Sequence, residues 1–398
     1  MSKGYPLVPI ASTGDVQGGR QRSPHMTEGK LVPYLRVANV FDGSINFSDV
    51  NEMPFKSQEI DRFRLIKGDI LLNEGQSVEL VGRCAMFMDG PEDCCYQNTL
   101  VRYRASPETD PNFALQLFRY CQLTGVFSKI AVKTNSIAHL GVSRFAELEL
   151  PFPPYQVQNK IAGILERWDT AIQKTEQLIA AKERHYSHEL SRLISLGQYP
   201  HTHIGAFAEE VSARNRGGNE ARVLSVTNSR GFVLPEDQFE RRVASADLSN
   251  YKVVRRGQYA YNPSRINVGS IARLDGWDHG VLSPMYVVFR LDEAKVDSDY
   301  FLHWLNSHEA RQRIKNSAQG SVRETVSFSE FAAITIPLLD RTRQTAVARY
   351  LNALREEIDL LGQSVAALKT QKRGLMQKLL TGQWRLHVSE TAEETAHV

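Results

Sequence analysis

From Val347 the chain sets apolar residues in unbroken steps of four and three: Val347, Leu351, Leu354, Ile358, Leu361, Val365, Leu368, then Lys372, Leu375 and Leu379. A mean step of 3.5 residues keeps one narrow stripe on one side of a helix, the seam of a coiled coil. An earlier segment carries a looser version: Ile161, Leu165, Trp168, Ile172, Thr175, Ile179, Lys182, Tyr186 and Leu193, with Glu189 at a seam position and Leu190 beside it. Each pattern starts after a proline (Pro154, Pro337) and stops at a glycine (Gly197, Gly382). A stripe this narrow leaves little to bury against a sheet, so the two seams are expected to bury each other. The polar seam residues Thr175, Lys182 and Lys372 would help fix the register.

The segments ahead of the helices alternate on a shorter period. "LVPYLRVANV", "GDILLNEG", "CAMFM" and "TLVRYR" read as strands bounded by Gly, Pro and Asn. "RVLSVTN", "VGSIARL" and "MYVVFRL" read the same way further on. The two halves also echo each other. "FAELELPFPPYQVQNKIAGILERWDTAI" at Phe145 returns as "FAAITIPLLDRTRQTAVARYLNALREEI" 186 residues later, and the pairs Gly68/Gly257 and Asn73/Asn262 lie 189 apart. A repeat of this length is a duplicated unit with surface-loop insertions. The expected fold is α/β (α+β) with a pseudo-twofold internal repeat. Its predicted boundaries are a globule over 1–152, a long helix over 153–198, a second globule over 199–338, a second helix over 339–384, and a disordered acidic tail over 385–398.

Composition narrows the class only a little. At 398 residues, 42% hydrophobic and 23% charged, the chain is ordinary for a globular protein, and a net charge of +3 implies nothing without local clustering. No apolar run approaches a membrane span and the N-terminus lacks a signal-peptide core, so a cytoplasmic location is the expectation. Cys84, Cys94, Cys95 and Cys121 lack the paired spacing of a zinc site and are expected as free thiols, with no metal and no cofactor.

Three stretches tempt a catalytic reading. "YNPSR" at Tyr261 has Ser264 and Arg265 where an amino-methyltransferase motif needs a second proline and an aromatic. "LDEAKVD" at Leu291 is expected as a solvated turn, and "HTHIG" at His201 as a loop. No P-loop and no H-E-x-x-H occurs. The chain is read as a non-enzyme.

"LKTQKRGLMQKLLTGQWRL" (Leu368–Leu386), "YNPSRINVGSIARL" and "GSVRETVSFSEFAAITIPL" resemble the specificity subunits of type I restriction–modification systems. The resemblance covers almost the whole chain and is closer in the second copy; "HLGVSRF" (His139–Phe145) departs from it. It implies two target-recognition domains, each reading half of a split site in double-stranded DNA, held apart by an intramolecular antiparallel coiled coil. It also implies two methyltransferase (modification) subunits and restriction/translocase subunits as partners, no membrane, and no catalysis by this chain. Two rival readings remain: a specificity subunit of a type II-like enzyme, and a coiled-coil assembly protein whose globules bind protein.

Phosphate contacts need Lys, Arg and backbone amides, and base contacts need forked or amide side chains. On those grounds the candidates are Arg20, Arg22, Arg36, Asn39, Lys67 and Arg83 in the first copy. The second copy offers Arg214, Arg216, Arg230, Arg255, Arg256, Arg265, Asn267 and Arg323. Arg20/Arg22 and Arg214/Arg216 fall early in their copies, which suggests a shared role.

Overall fold

The computed structural model describes residues 4–22, 27–134, 136–196, 199–218, 220–235, 247–318 and 325–386. Arg323, Gly197 and the end of the acidic tail lie outside them. The chain forms two compact units, residues 1–175 with 364–398, and residues 176–363. These units are not the two sequence copies. The long helices run Tyr155–Leu190 and Arg341–Leu380, and each gives one half to each unit.

The first unit centres on an antiparallel sheet ordered Gly14–Gly18, Leu100–Ala105, Ile70–Asn73, Cys84–Met86. The helix Pro111–Leu123 buries Phe113, Ala114, Leu117, Phe118 and Cys121, which recur on one helical face. Asp110 caps it, accepting the Phe113 N–H at 2.9 Å. Strand Leu7–Pro9 pairs with Glu149–Pro151, with Val8 opposite Leu150. A second, smaller core lies among Lys30–Leu35, Asn51–Phe55 and Cys95–Tyr96.

The second unit repeats the central plan. Its sheet is ordered Ala208–Glu210, Val287–Leu291, Tyr259–Tyr261, Ile271–Arg273. His201–His203 pairs with Thr335–Pro337, with Thr202 opposite Ile336, so "HTHIG" opens with a strand and not a loop. The run is short and polar, and its tertiary partner outweighs its weak strand pattern. The smaller core differs from its counterpart: it is built from the hairpin Ser225–Thr227/Gly231–Val233 and the pair Lys252–Arg255/His279–Leu282.

A buried glutamine recurs at matched positions of the repeat, Gln158 and Gln344. In the first unit, Gln158 accepts the Asp110 N–H at 2.9 Å and donates to Pro153 O at 2.8 Å. In the second, Gln344 accepts the Asp297 N–H at 2.7 Å and donates to Leu339 O at 2.7 Å. Each Gln pins the start of a long helix to the cap of a domain helix, and Asp297 accepts the Asp299 and Tyr300 N–H groups as Asp110 does Phe113's.

Within each unit the helix halves run antiparallel. Val157, Ile161 and Leu165 share a core with Met376, Leu379 and Leu380, while Asp169 further along meets Lys372. In the second unit Tyr186, Leu190 and Ile194 share a core with Ala348, Leu351 and Ile358. Of the seam residues, Ile161, Leu165, Ile172, Leu351, Ile358 and Val365 are buried, whereas Trp168, Ile179, Val347, Leu354, Leu361 and Leu368 are half-buried. The first helix loses its clean heptads at Glu189, and there a wide π turn, Ser191–Ser195, follows it. One extra residue per turn re-aims the side chains, and Ile194 is fully buried. The second helix stops at Gly382 with φ +74°, the left-handed geometry that glycine supplies without strain.

Candidate nucleic-acid interface and the helix seam

The matched arginines are not equivalent. Arg20 is only 6% exposed; its Nε donates to Glu59 at 2.8 Å, and its guanidinium lies 4.6 Å over the Phe55 ring. It ties the helix Ser57–Phe63 to strand Asn51–Phe55 and does not face solvent. Asn39 is also buried. Its amide donates to Asn46 O at 3.1 Å and Asp49 O at 2.8 Å, and its oxygen accepts the Arg36 N–H at 3.0 Å. Every polar atom of that side chain is used in closing a loop. Arg83 is half-buried and stacks 4.9 Å over Phe41. Sequence pattern cannot separate such internal uses from a phosphate contact.

Arg22, Lys67, Arg216, Arg255 and Arg265 are exposed and make no ion pair among the described residues; Arg230 and Asn267 are exposed as well. Arg36 pairs with exposed Asp49 at 2.6 Å, and Arg256 with exposed Asp278 at 3.0 Å. Solvent-facing pairs of this kind are weak and can exchange for a phosphate. Arg214 is exposed and donates to Asn250 O at 2.8 Å. Its backbone bridges to Lys252, on the strand that ends at Arg255, so the second unit gathers Arg214, Lys252 and Arg255 on one ladder. Lys252 escaped the sequence reading; its ammonium sits 3.4 Å from Glu210. Asn267 lies in the turn Ile266–Val268 and lines a cavity of about 460 Å³ with Thr227, Asn228, Arg273 and Arg311. Amides, hydroxyls and guanidinia in one concavity are the groups that read base edges.

The stretches that tempt a catalytic reading make local structural contacts. Tyr261 is fully buried, Asn262 accepts the Ser264 N–H at 3.0 Å, and Pro263 O accepts the Val326 N–H at 3.1 Å. In "LDEAKVD", Asp292 pairs with Lys295 at 3.3 Å across an exposed turn. All four cysteines are buried free thiols; burial pushes Cys94, Cys95 and Cys121 each up to about 12. Among the described residues no three His, Cys, Asp or Glu side chains form a metal site, and no helix is long and apolar enough to cross a membrane.

The seam carries polar chemistry that apolar spacing could not reveal. In the first unit Lys372, 5% exposed, donates to Asp169 at 2.6 Å and to Gln116 at 3.1 Å. Arg119 reaches Asp169 at 3.1 Å and Asp42 at 2.8 Å. Burial alone would raise the Asp169 carboxyl; Arg119 and Lys372 outweigh it and hold the group below the ordinary carboxylate value. In the second unit Tyr186 Oη lies 2.8 Å from His303 Nδ1, and His303 Nε2 lies 2.8 Å from Asn352 Oδ1. Arg355 sits 5.1 Å over the Tyr186 ring, and Lys182 pairs with Glu357 at 2.8 Å.

Residues 23–183 match the family model of the type I restriction modification DNA specificity domain. Over these residues the chain is similar to that family. The match spans most of the first globule and most of the first long helix. The putative type I restriction enzyme MjaX specificity subunit of Methanocaldococcus jannaschii is 22% identical, over 89% of this chain and 87% of that one. The MjaVIII specificity subunit of the same organism is also 22% identical, over 68% and 70%. Among solved structures, the S subunit of a type I system from M. genitalium aligns with TM-score 0.55 at 17% identity, covering 94% of this chain and 96% of that one. A chain from a study of type I complex assembly and conformational transition aligns at 0.60 and 14%, covering 96% and 98%. The specificity-subunit fold therefore extends over nearly the whole chain.

Proposed function

We infer that the chain is the DNA-reading subunit of a type I restriction–modification complex, each unit reading one half of a split target. The duplication carries this reading. Two units share one central sheet plan, and each exposes cationic side chains, but their smaller cores are built differently. A common frame with divergent attachments suits two readers of different sequences. Exposed Arg22 and Lys67 serve the first unit; Arg216, Arg255, Arg265 and Asn267 serve the second, with Arg214, Arg230, Arg36 and Arg256 able to assist. Two methyltransferase subunits and the restriction subunits supply the chemistry and dock on this scaffold; the chain alone is expected neither to cleave nor to methylate DNA, with or without S-adenosylmethionine.

In the assembled complex, Arg216→Ala with Arg255→Ala should weaken duplex binding and leave assembly intact. Removing one cation from a DNA phosphate lowers the slope of log affinity against log salt by about one. Binding titrations over a salt series measure this, and an unchanged affinity and slope would remove both arginines from the interface.

A further inference from the structure

A duplicated chain has a pairing problem. Each long helix must pair with the helix of the other copy, although a second molecule offers its own copy as a partner of similar shape. An offset of 186 residues aligns Asp169 with Arg355, Lys372 with Tyr186, Ala171 with Glu357, and Leu368 with Lys182. At these matched positions the two seams differ. One layer holds Asp169 against Lys372 at 2.6 Å in the first unit, and Arg355 over Tyr186 at 5.1 Å in the second. The neighbouring layer has Lys182 against Glu357 at 2.8 Å in the second unit, where the first carries Leu368 and Ala171.

We propose that these two layers are a pairing code, which makes the helices of one chain choose each other over the like helix of a second copy. Pairing first-copy helices with each other would set Asp169 against Tyr186 and Lys182 against Ala171, so neither ion pair could form. Pairing second-copy helices would set Lys372 beside Arg355, two cations where the native layer has an anion and a cation, and Glu357 beside Leu368. Lys372 is almost fully buried, so water does little to screen that repulsion. A buried ion pair adds little net stability because desolvation offsets its attraction, but it penalises wrong partners. Polar seam residues fix partner choice in coiled coils by the same means.

The test uses the full chain carrying either of two affinity tags, refolded together from denaturant, with mixed-tag complexes measured after capture on one tag. The wild type should give only a trace of mixed complex. Tyr186→Lys, Arg355→Asp, Lys182→Leu and Glu357→Ala together rewrite the second seam as the first, so like and unlike pairings become equivalent. Mixed complexes should then rise several-fold with helicity retained. Lys372→Tyr alone adds no buried charge and offers Arg355 the same aromatic face in a second copy; it should produce a smaller rise, and it decides the matter if the fourfold variant does not fold. The proposal is overturned if the wild type already mixes as freely as the variants. It is equally overturned if Lys372→Tyr, folded by circular dichroism, stays as unmixed as the wild type.

Discussion

Burial sets how His303 titrates. It lowers the imidazole's pKa, with the Asn352 hydrogen bond opposing, so the folded chain holds the ring neutral where an unfolded chain would begin to protonate it. The unfolded state therefore binds more protons as pH falls below about 6.5, and stability is lost with falling pH over that window. Gln116 stands at the matching position of the first unit, where its amide bonds to Asp169 and Lys372 on the two helix halves, so glutamine is the substitution of choice. His303→Gln should flatten the loss of stability between about pH 7 and about pH 5, even if the neutral-pH Tm drops from the changed hydrogen bonds. Thermal melts of both proteins across that range check it; parallel pH profiles would show that His303 does not control acid lability.

At the scale of elements, the long helices were the most legible part of the sequence. A step of 3.5 residues sustained over many turns has few other physical solutions, and the seam residues from Ile161 to Val365 are buried or half-buried. The first helix was harder to bound because Glu189 and the π turn break the period. Short strands such as His201–His203 were illegible, since their pairing with Thr335–Pro337 is set by distant chain. The candidate interface was only partly legible. Arg20 and Arg22 look alike in sequence, yet one is buried against Glu59 and Phe55 while the other is exposed. Partner choice among arginines is a tertiary property, and so is the Asp169–Lys372–Gln116 cluster. The helices also invite a direct manipulation. Deleting residues 173–179 with 358–364 removes one heptad from each helix and keeps the seam in phase. Seven residues span about 10 Å, or about three base pairs at about 3.4 Å each. The shortened protein should fold, keep both half-site sequences and prefer a shorter gap between them. Methylation of the original site at full efficiency by a folded double deletion would show that the helices do not set the spacing.

At the scale of the whole molecule, the proposed function rests on division of labour: two units of one plan, each responsible for half of a DNA target, with catalysis left to partners. The most direct measurement maps methylated bases in the DNA of cells that carry this chain with the modification subunit proposed as its partner. The same map is then taken with Arg265→Ala and Asn267→Ala, both exposed in the second unit. Division of labour predicts a single target in two separated parts for the wild type, with the variant relaxing or losing preference in one part only. A contiguous target, or a variant that blurs both parts equally, would contradict it.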